Sequence, residues 1–387
     1  MKSIKKIKEY YLLNEIGRGT FGKVYEAISE NNNKLYAIKA ISADLYSDKG
    51  IMEQLKKELK LLYSIDNKNI IKIIGVEKTI NNIYLILEHC NGGSLLDFVS
   101  YYRKTYRKNL TEKIIQKIMK QIIKGLKFMH GQNVIHRDIK LENILINFDD
   151  IDNNYNFFKT KENNNSFTGN PNTENDINDF IYKRSGSNFL KSIYSSRNFL
   201  EDVNFTIKIA DLGYAKEFDK GVGSSSICGT PLFMAPDIIN LFNEELKQTK
   251  SYNLSVDIWS LGTVFYELLV GNPPFVAKFN KDIFQKILSG MYELPIDLNL
   301  SVESLNLLTG LLNFFPEKRF NFEDIEEESF INKNPQDFHF IPIKALVNND
   351  NEENILIDTK DRVTFLKKII KLFLIESKNI YVLNDEE

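Results

Sequence analysis

Two short polar segments, each placed directly after an apolar run, constrain the fold of this chain more than any other feature. Residues 136–143 read His-Arg-Asp-Ile-Lys-Leu-Glu-Asn, and residues 211–213 read Asp-Leu-Gly. Asn143 and Asp211 offer an amide oxygen and a carboxylate, the kinds of oxygen ligand that Mg²⁺ takes when it also binds phosphates. A fold that uses both must bring these two distant parts of the chain together.

The first segment also carries groups suited to moving a proton. Asp138 can orient a hydroxyl and accept its proton, and Lys140 can offset the charge of a phosphoryl group. Each of these residues alone is compatible with an ordinary loop carboxylate or a helix cap. Their joint occurrence in this order predicts phosphoryl transfer from a metal-bound nucleotide to a hydroxyl.

A glycine-rich turn near the start of the chain is suited to binding phosphates. Gly17, Gly19 and Gly22 lie between two strand-like runs, where backbone N–H groups can approach phosphate oxygens without a side-chain barrier. A GxGxxG pattern alone also fits a dinucleotide-binding turn. No helix opens at Gly22, however, and the next strand carries Lys39, whose ammonium can hold phosphate oxygens below the turn.

The spacing of apolar residues predicts an α+β fold with two lobes. A small antiparallel sheet with one helix occupies the N-lobe, at about residues 8–89, and helical periodicity dominates the C-lobe, at about residues 90–333. Glu58 lies on the apolar side of the N-lobe helix, where a carboxylate needs a cation, so we expect it to pair with Lys39. The alternative for Glu58 is an ordinary charge on a helix surface.

Two further segments differ from the lobes in composition. Residues 148–204 are crowded with Asn, Asp and Ser, which predicts a disordered insertion within the C-lobe. The flanks of this insertion look like the two strands of a hairpin, so we expect residues 150–202 to be dispensable for folding and chemistry. Residues 334–387 form a tail with an amphipathic helix at about 361–376, which is expected to dock a partner rather than to anchor in a membrane.

Composition and charge exclude several classes of function. The 50 basic and 52 acidic residues nearly cancel, so the chain has no charge excess that would favour nucleic acid. Cys90 and Cys228 do not have the spacing of a disulfide framework or a zinc site, which indicates a reducing compartment, the cytoplasm or the nucleus. Neither an apolar signal core nor a run of about 20 apolar residues for a membrane span is present in the sequence.

Together these motifs resemble the eukaryotic protein kinase family over about residues 10–331, the insertion excepted. The resemblance implies a kinase domain at residues 1–333 that uses ATP and Mg²⁺ and acts on protein substrates. Lys140 following Asp138, together with the Gly-Thr-Pro run at residues 229–231, is similar to the Ser/Thr branch.

Within this family, two segments are similar to the autophagy-initiating (ULK-type) kinases. They are the predicted hinge region at residues 83–95 and the Cys-Gly-Thr-Pro-Leu-Phe-Met-Ala-Pro run at residues 228–236. Residues 211–217, in contrast, are similar to the inhibitor-of-κB kinases.

The resemblance also implies roles for further residues. It places Leu87 at the gatekeeper position and gives Asp257 the role of bracing the catalytic loop. Asp237 stands where the family usually has Glu, and we expect its pair with Arg319 to be strained or bridged by water. The residues expected at the nucleotide are Ile16, Gly17, Gly19, Gly22, Val24, Ala37, Lys39, Glu88, Cys90 and Leu145.

The segment before the Gly-Thr-Pro run is predicted to carry a regulatory site. Ser226 is expected to be phosphorylated by an upstream kinase or by autophosphorylation, and Ser224 and Ser225 are the alternative acceptors. Arg137 and Lys216 would face this segment as unpaired cations, which a phosphate would bridge and thereby order the loop.

Two alternatives to an active enzyme remain at this point. The first is a pseudokinase, which binds nucleotide without transfer, and the presence of Lys39, Asp138 and Asp211 argues against it. The second is a scaffold that recruits partners through the insertion or the C-terminal helix, which is compatible with catalysis.

Overall fold

The computed structural model describes nine stretches of the chain, to which the structural statements below refer. They are residues 5–19, 22–42, 49–148, 190, 194–195, 204–217, 229–242, 252–346 and 353–371. The chain forms two compact units: unit 1 comprises Met1–Tyr101 and Leu141–Tyr214, and unit 2 comprises Tyr102–Lys140 and Ala215–Glu387. Strands dominate the first unit and helices the second, which confirms the predicted α+β class.

Strands and helices are numbered separately along the chain. The strands are β1 (Lys6–Ile7), β2 (Tyr10–Gly19), β3 (Gly22–Ser29), β4 (Leu35–Ser42), β5 (Ile73–Lys78), β6 (Asn82–Glu88), β7 (Val134–Ile135), β8 (Ile144–Phe148), β9 (Phe205–Ile209), β10 (Lys216–Glu217), β11 (Met291–Pro295), β12 (Asn299–Ser301), β13 (Phe340–Pro342) and β14 (Asn354–Asp358). The helices are α1 (Lys49–Ser64), α2 (Leu95–Tyr106), α3 (Glu112–Gly131), α4 (Pro236–Ile239), α5 (Ser255–Val270), α6 (Asn280–Ser289), α7 (Val302–Leu311), α8 (Phe322–Glu327), α9 (Ser329–Asn332) and α10 (362–371).

Unit 1 is built on an antiparallel sheet with the strand order β1-β2-β3-β4-β6-β5. Apolar residues on one face of these strands form a buried cluster that includes Ala27, Ile38 and Ile86. This arrangement follows from the period of two in a strand, which sends alternate side chains to the same face. Strand β4 is one of the two central strands and pairs with β3 on one side and β6 on the other.

A hairpin of β8 and β9 completes unit 1, in the register Ile144↔Ile209 to Phe148↔Phe205. These strands are the predicted flanks of the insertion, so the predicted hairpin is confirmed. A further bond, from the Ile71 N–H to the Ile209 carbonyl at 2.8 Å, fixes the hairpin to the chain just before β5.

The core of unit 2 is formed by helices that bury apolar residues at helical spacing. In α3, Ile115, Ile118, Met119, Ile122 and Leu126 are each less than 1% exposed. Helix α5 is buried around almost its whole circumference, as expected for a helix that is apolar on all sides. No helix within the described ranges is long and apolar enough to cross a membrane.

The tail predicted at residues 334–387 packs into unit 2 as far as it is described. Strand β13 pairs with β12, and β14 pairs with β11, both in antiparallel register. The predicted C-terminal helix is present over 362–371, and residues 372–376 of that prediction lie outside the described ranges. The buried apolar side chains of the tail include Ile341, Ile343, Leu346, Ile355, Ile357, Phe365 and Ile369.

Most of the predicted insertion also lies outside the described ranges. Between Phe148 and Asn204 the structure describes Leu190, Tyr194 and Ser195. Tyr194 is helical in backbone conformation and only 1% exposed. At this residue the structure differs from the disordered insertion that the composition predicts, because the ring has a buried place among other aromatic rings of unit 1.

Candidate active site

Lys39 occupies the middle of β4, one of the two central strands of the sheet in unit 1. In β4 it is paired with Val24 of β3 on one side and with Leu85 of β6 on the other, and it is 4% exposed. Its Nζ lies 3.1 Å from Oδ1 of Asp211. A buried ammonium is stable only beside an anion, so Asp211 contributes to holding Lys39 in place. Glu58, the predicted partner, lies in α1, and its side chain is outside the described part of the chain.

Asn143 and Asp211 lie at the same end of the β8–β9 hairpin. The Asn143 carbonyl accepts a hydrogen bond from the Ala210 N–H at 2.8 Å, one residue before Asp211. Asp211 has a left-handed backbone, with φ at +58°, a conformation that Asp tolerates better than most residues and that is enriched at functional sites. The strand register thus brings together the two predicted metal ligands.

The oxygen atoms of these two residues are suited to Mg²⁺ bound together with phosphates. Magnesium in such sites uses one or two carboxylates and takes its remaining ligands from phosphate and water. The donor set therefore fits Mg-ATP.

The glycine-rich turn joins β2 and β3, with Gly17 opposite Val24. A Cβ added at Gly22 would lie 2.0 Å from the carbonyl oxygen of Ala40 in β4, so this position excludes every other residue. A Cβ added at Gly17 would meet no atom within 4 Å, so open space lies beside the strand there. Among the other predicted nucleotide residues, Ile16 is 51% exposed, whereas Val24, Ala37 and Leu145 are half-buried. Gly19 is paired with Gly22 at the end of the turn.

The predicted hinge begins at Glu88, at the end of β6. Its Oε1 accepts hydrogen bonds from the Lys72 N–H at 2.7 Å and from Lys208 Nζ at 2.8 Å. Next to it, His89 Nε2 lies 3.2 Å from Oε1 of Glu26, with both side chains buried. Burial also raises the pKa of the Cys90 thiol, which therefore stays neutral.

Lys208 and Glu26 are hinge contacts that the sequence did not reveal. Glu26 is a carboxylate inside an apolar strand, which signals a buried partner, but nothing in the sequence identifies His89 as that partner. Lys208 likewise carries no motif.

In unit 2, Asp138 lies at the centre of a small network of polar groups. The side chain is 3% exposed, and its Oδ2 lies 2.8 Å from Lys140 Nζ. Its Oδ1 accepts from the Thr230 N–H at 3.0 Å and from the Thr230 hydroxyl at 2.7 Å, and Lys140 Nζ lies 2.7 Å from that hydroxyl. Burial alone would raise the pKa of Asp138, but its bonds with Lys140 and Thr230 hold it below the usual value. The carboxylate is therefore ionised at neutral pH.

Asp257, at the start of α5, holds the backbone of this loop. Its two carboxylate oxygens accept from the N–H groups of His136 and Arg137, each at 2.8 Å, and Oδ2 also lies 2.8 Å from Nε2 of His130. This is the brace that the resemblance predicted. Gly229 adopts a φ of +105°, and a Cβ there would lie 2.4 Å from the Arg137 carbonyl oxygen, so glycine allows the Thr230 segment to reach Asp138.

A comparison of the sequence with known families assigns these motifs. The protein kinase domain matches residues 10–157 and 195–331. The chain belongs to the protein kinase family. Members of this family use ATP as phosphoryl donor and Mg²⁺ as the metal, which agrees with the donor set at Asn143 and Asp211. In this kinase the match is interrupted only between 157 and 195, within the predicted insertion.

Several curated proteins are similar to this kinase along most of its length. The serine/threonine-protein kinase ATG1 of Kluyveromyces lactis is 29% identical over 339 residues, covering 82% of this chain and 36% of that protein. The atg1 kinase of Dictyostelium discoideum is 29% identical, with 86% and 41% covered, and a probable kinase PLK of the same organism is 26% identical, with 91% and 29% covered. The kinase thus spans well under half the length of these relatives.

The structure corrects the expectation for the pair Asp237–Arg319. Arg319 Nη1 lies 2.9 Å from Asp237 Oδ2, so the two contact each other directly rather than through water. The guanidinium is completely buried and also donates to the carbonyls of Ser255 and Asn313. These bonds hold it within reach of the shorter carboxylate, so the expectation of a water-bridged pair was wrong.

The expectation that Arg137 is an unpaired cation was also wrong. Its Nη1 lies 3.2 Å from the hydroxyl oxygen of Tyr252, whose side chain is 4% exposed. The buried ring places its hydroxyl beside the guanidinium. Ser226 and the side chain of Lys216 lie outside the described residues, so the phosphorylation site stays a prediction.

Proposed function

We propose that this kinase transfers the γ-phosphoryl group of ATP to Ser or Thr hydroxyls of protein substrates. The observation that carries the proposal is the network around Asp138, a buried carboxylate kept ionised by Lys140 and Thr230. An ionised carboxylate can accept a hydrogen bond from an acceptor hydroxyl and take its proton as the hydroxyl oxygen bonds to the γ-phosphorus and the bond between that phosphorus and ADP breaks. The serine/threonine kinases named above are similar in sequence, which supports the same acceptor class.

Each further group has a role in this proposal. Lys39 holds phosphate oxygens, and Asp211 and Asn143 hold Mg²⁺; the bound Mg-ATP supplies the phosphoryl group and the metal that neutralises its charge. Lys140 balances negative charge near the transferred group. The hinge residues Glu88 and Cys90 offer backbone groups to adenine.

The proposal is tested with a Ser/Thr peptide library and Mg-ATP. We expect Asp138→Asn to retain Mg-ATP binding and to lose at least about 10²-fold in single-turnover rate. Asp211→Asn should instead weaken the Mg²⁺-dependent binding of nucleotide. Asp297→Asn, which changes an exposed carboxylate of unit 2, serves as the matched control. If the wild type binds Mg-ATP but phosphorylates no peptide, the pseudokinase or scaffold alternative is correct.

A finer assignment is that the kinase acts in the initiation of autophagy, in the cytoplasm. The ULK-type segments at residues 83–95 and 228–236, together with the similarity to ATG1 kinases, support this assignment. We expect the kinase, fused in place of the catalytic region of a fungal ATG1, to restore starvation-induced autophagy in a strain that lacks that gene. The Asp138→Asn form of the fusion is the control. Expression of an active fusion without restored autophagy would contradict the assignment and leave the kinase activity itself unaffected.

A further inference from the structure

Tyr194 is a buried aromatic residue that neither the family match nor the proposed mechanism uses. It lies just before the point at which the family match resumes, at residue 195. Its ring packs within unit 1 at centroid distances of 5.8 Å from Phe98, 4.8 Å from Tyr101 and 6.2 Å from Phe148. Aromatic pairs at such distances add to the effect of burial. The Tyr194 ring therefore holds this part of the predicted insertion against the rest of unit 1.

The hydroxyl of Tyr194 has a specific partner. It donates a hydrogen bond to the carbonyl oxygen of Gly92, at 2.5 Å. Burial raises the pKa of this phenol well above its usual range, so the proton is present at every physiological pH. The contact therefore joins the end of the insertion to the residue that lies two positions after Cys90 of the hinge.

The segment around Gly92 is also bonded to β8. The Gly92 N–H donates to the Ile146 carbonyl, and the Ile146 N–H donates to the Gly93 carbonyl, both at 2.9 Å. The side chain of Asn91 accepts from the Phe148 N–H at 2.8 Å and donates to the Phe148 carbonyl at 3.1 Å. The chain after the hinge and strand β8 are thus hydrogen-bonded to each other. Tyr194 contacts both, through the Gly92 carbonyl and the Phe148 ring.

We infer that Tyr194 is a positioning residue for nucleotide binding, because it holds residues 91–93, just after the hinge, against β8, the strand that carries Leu145. The inference rests on the proposed function, because Glu88, Cys90 and Leu145 have their roles only if the site binds ATP. It also changes the expectation for the insertion: most of residues 150–202 is dispensable, but the part that contains Tyr194 is not.

The first test removes the hydroxyl alone. Tyr194→Phe keeps the ring contacts and leaves the Gly92 carbonyl without this donor. The loss of one such hydrogen bond lowers the equilibrium constant for forming the contact about two- to tenfold. We expect KM for ATP to rise by that factor with kcat unchanged. The matched control is Tyr292→Phe, which removes a buried hydroxyl that has no hydrogen-bond partner among the described residues. An unchanged KM in Tyr194→Phe would overturn the inference.

The second test divides the insertion. Replacing residues 151–186 with a short Gly-Ser linker retains Tyr194 and should leave KM for ATP unchanged. Replacing residues 150–202 removes Tyr194 and should raise KM at least as much as Tyr194→Phe. Equal KM values in the two deletion forms would contradict the inference.

Failure of the inference is distinguishable from failure of the proposed function. If the wild type binds no Mg-ATP, the proposed function is wrong, and hydrogen exchange at residues 88–94 then decides the role of Tyr194 without nucleotide. Faster exchange in Tyr194→Phe than in the wild type supports the positioning role of Tyr194, and equal exchange overturns it.

Discussion

At the scale of single residues, Asp257 organises the catalytic loop from a fully buried position. It is 0% exposed, and burial alone would raise its pKa, but the hydrogen bonds from His130 and from the backbone of His136 hold the pKa below its usual value. The Asp257 carboxylate therefore binds a proton less readily in the folded state than in the unfolded chain. The resulting stabilisation is present above the unfolded pKa, about 4, and is lost as the pH falls through the lower folded pKa.

Asp257→Asn tests this linkage, since Asn has the shape of the protonated side chain. We expect the variant to be less stable than the wild type by about 3 kcal/mol at neutral pH, because bonds to a charged acceptor are lost. As the pH is lowered from 7, the difference in the free energy of unfolding between the two proteins should shrink below about pH 4. Urea unfolding across this range measures it. A difference that does not shrink in acid would show that the pKa of Asp257 is not lowered in the folded kinase.

The direct contact between Arg319 and Asp237 leads to a second prediction. Asp237→Asn would leave a completely buried guanidinium without its carboxylate, which should lower the free energy of unfolding by about 3 kcal/mol. The matched control is Glu326→Gln, because Glu326 pairs with Lys127 while both are over 40% exposed, and an exposed pair contributes only about 0–1 kcal/mol. Chemical denaturation of both variants is the measurement, and equal losses would contradict the importance of burial.

The sequence predicted residues that belong to a motif and missed those that act only through their neighbours in space. Asp138 and Asp211 stand in runs whose order reflects phosphoryl transfer, so their side chains could be singled out. The pair Glu26–His89 and the contact of Tyr194 with Gly92 join residues far apart in sequence, and no local pattern encodes such a pair. The error at Asp237 had the same origin, because the position of the guanidinium depends on carbonyl groups that the sequence does not locate.

At the scale of elements, helix α10 is attached to unit 2 by one arginine as well as by apolar residues. Arg362 Nη2 lies 2.8 Å from Oδ1 of Asn306, and its Nε lies 3.2 Å from the Thr309 hydroxyl, both on α7. The guanidinium also lies over the ring of Phe320, at 4.5 Å from its centroid. A planar guanidinium can make these contacts at once, whereas an ammonium cannot.

Arg362→Lys should therefore loosen α10 although it keeps the charge. We expect a loss of about 1–3 kcal/mol in the free energy of unfolding, and faster hydrogen exchange in residues 362–371. Lys367→Ala, at an exposed position on the same helix, should stay within about 0.5 kcal/mol of the wild type. If both variants behave alike, the arginine contacts do not hold the helix.

Elements with a strong period were predictable, and short ones were not. The sheet of unit 1 and the β8–β9 hairpin follow from apolar residues at a spacing of two, and α10 follows from its helical spacing. Strand β13 has three residues, too few to establish a period, and the five residues of β14 pair with β11, which lies far from them in the sequence. They are held as strands by pairing with β12 and β11, a tertiary effect that local sequence does not encode.

At the scale of the whole molecule, the described part of the tail contributes buried residues to the core of unit 2. Phe338 stacks on Phe330 of α9 at 5.3 Å, and the Val302 N–H donates to the His339 carbonyl at 2.8 Å. Glu303 receives the His339 N–H at 3.0 Å and pairs with Lys333 at 3.2 Å. The family match ends at residue 331, so these contacts are additions to the part of the chain that the family shares.

Truncation of this kinase tests whether the tail is part of the core of unit 2 or only covers that core. A chain ending at Asn334 loses eight buried apolar side chains: Phe338, Ile341, Ile343, Leu346, Ile355, Ile357, Phe365 and Ile369. Each contributes about 1.5–3 kcal/mol by burial, and together they match the net stability of a typical domain, about 5–15 kcal/mol. We therefore expect this chain to aggregate or to unfold at a much lower temperature than a chain ending at Lys371, which keeps these contacts. Thermal unfolding followed by circular dichroism makes the comparison, and a stable, active chain ending at Asn334 would show that the tail only covers a core that is complete without it.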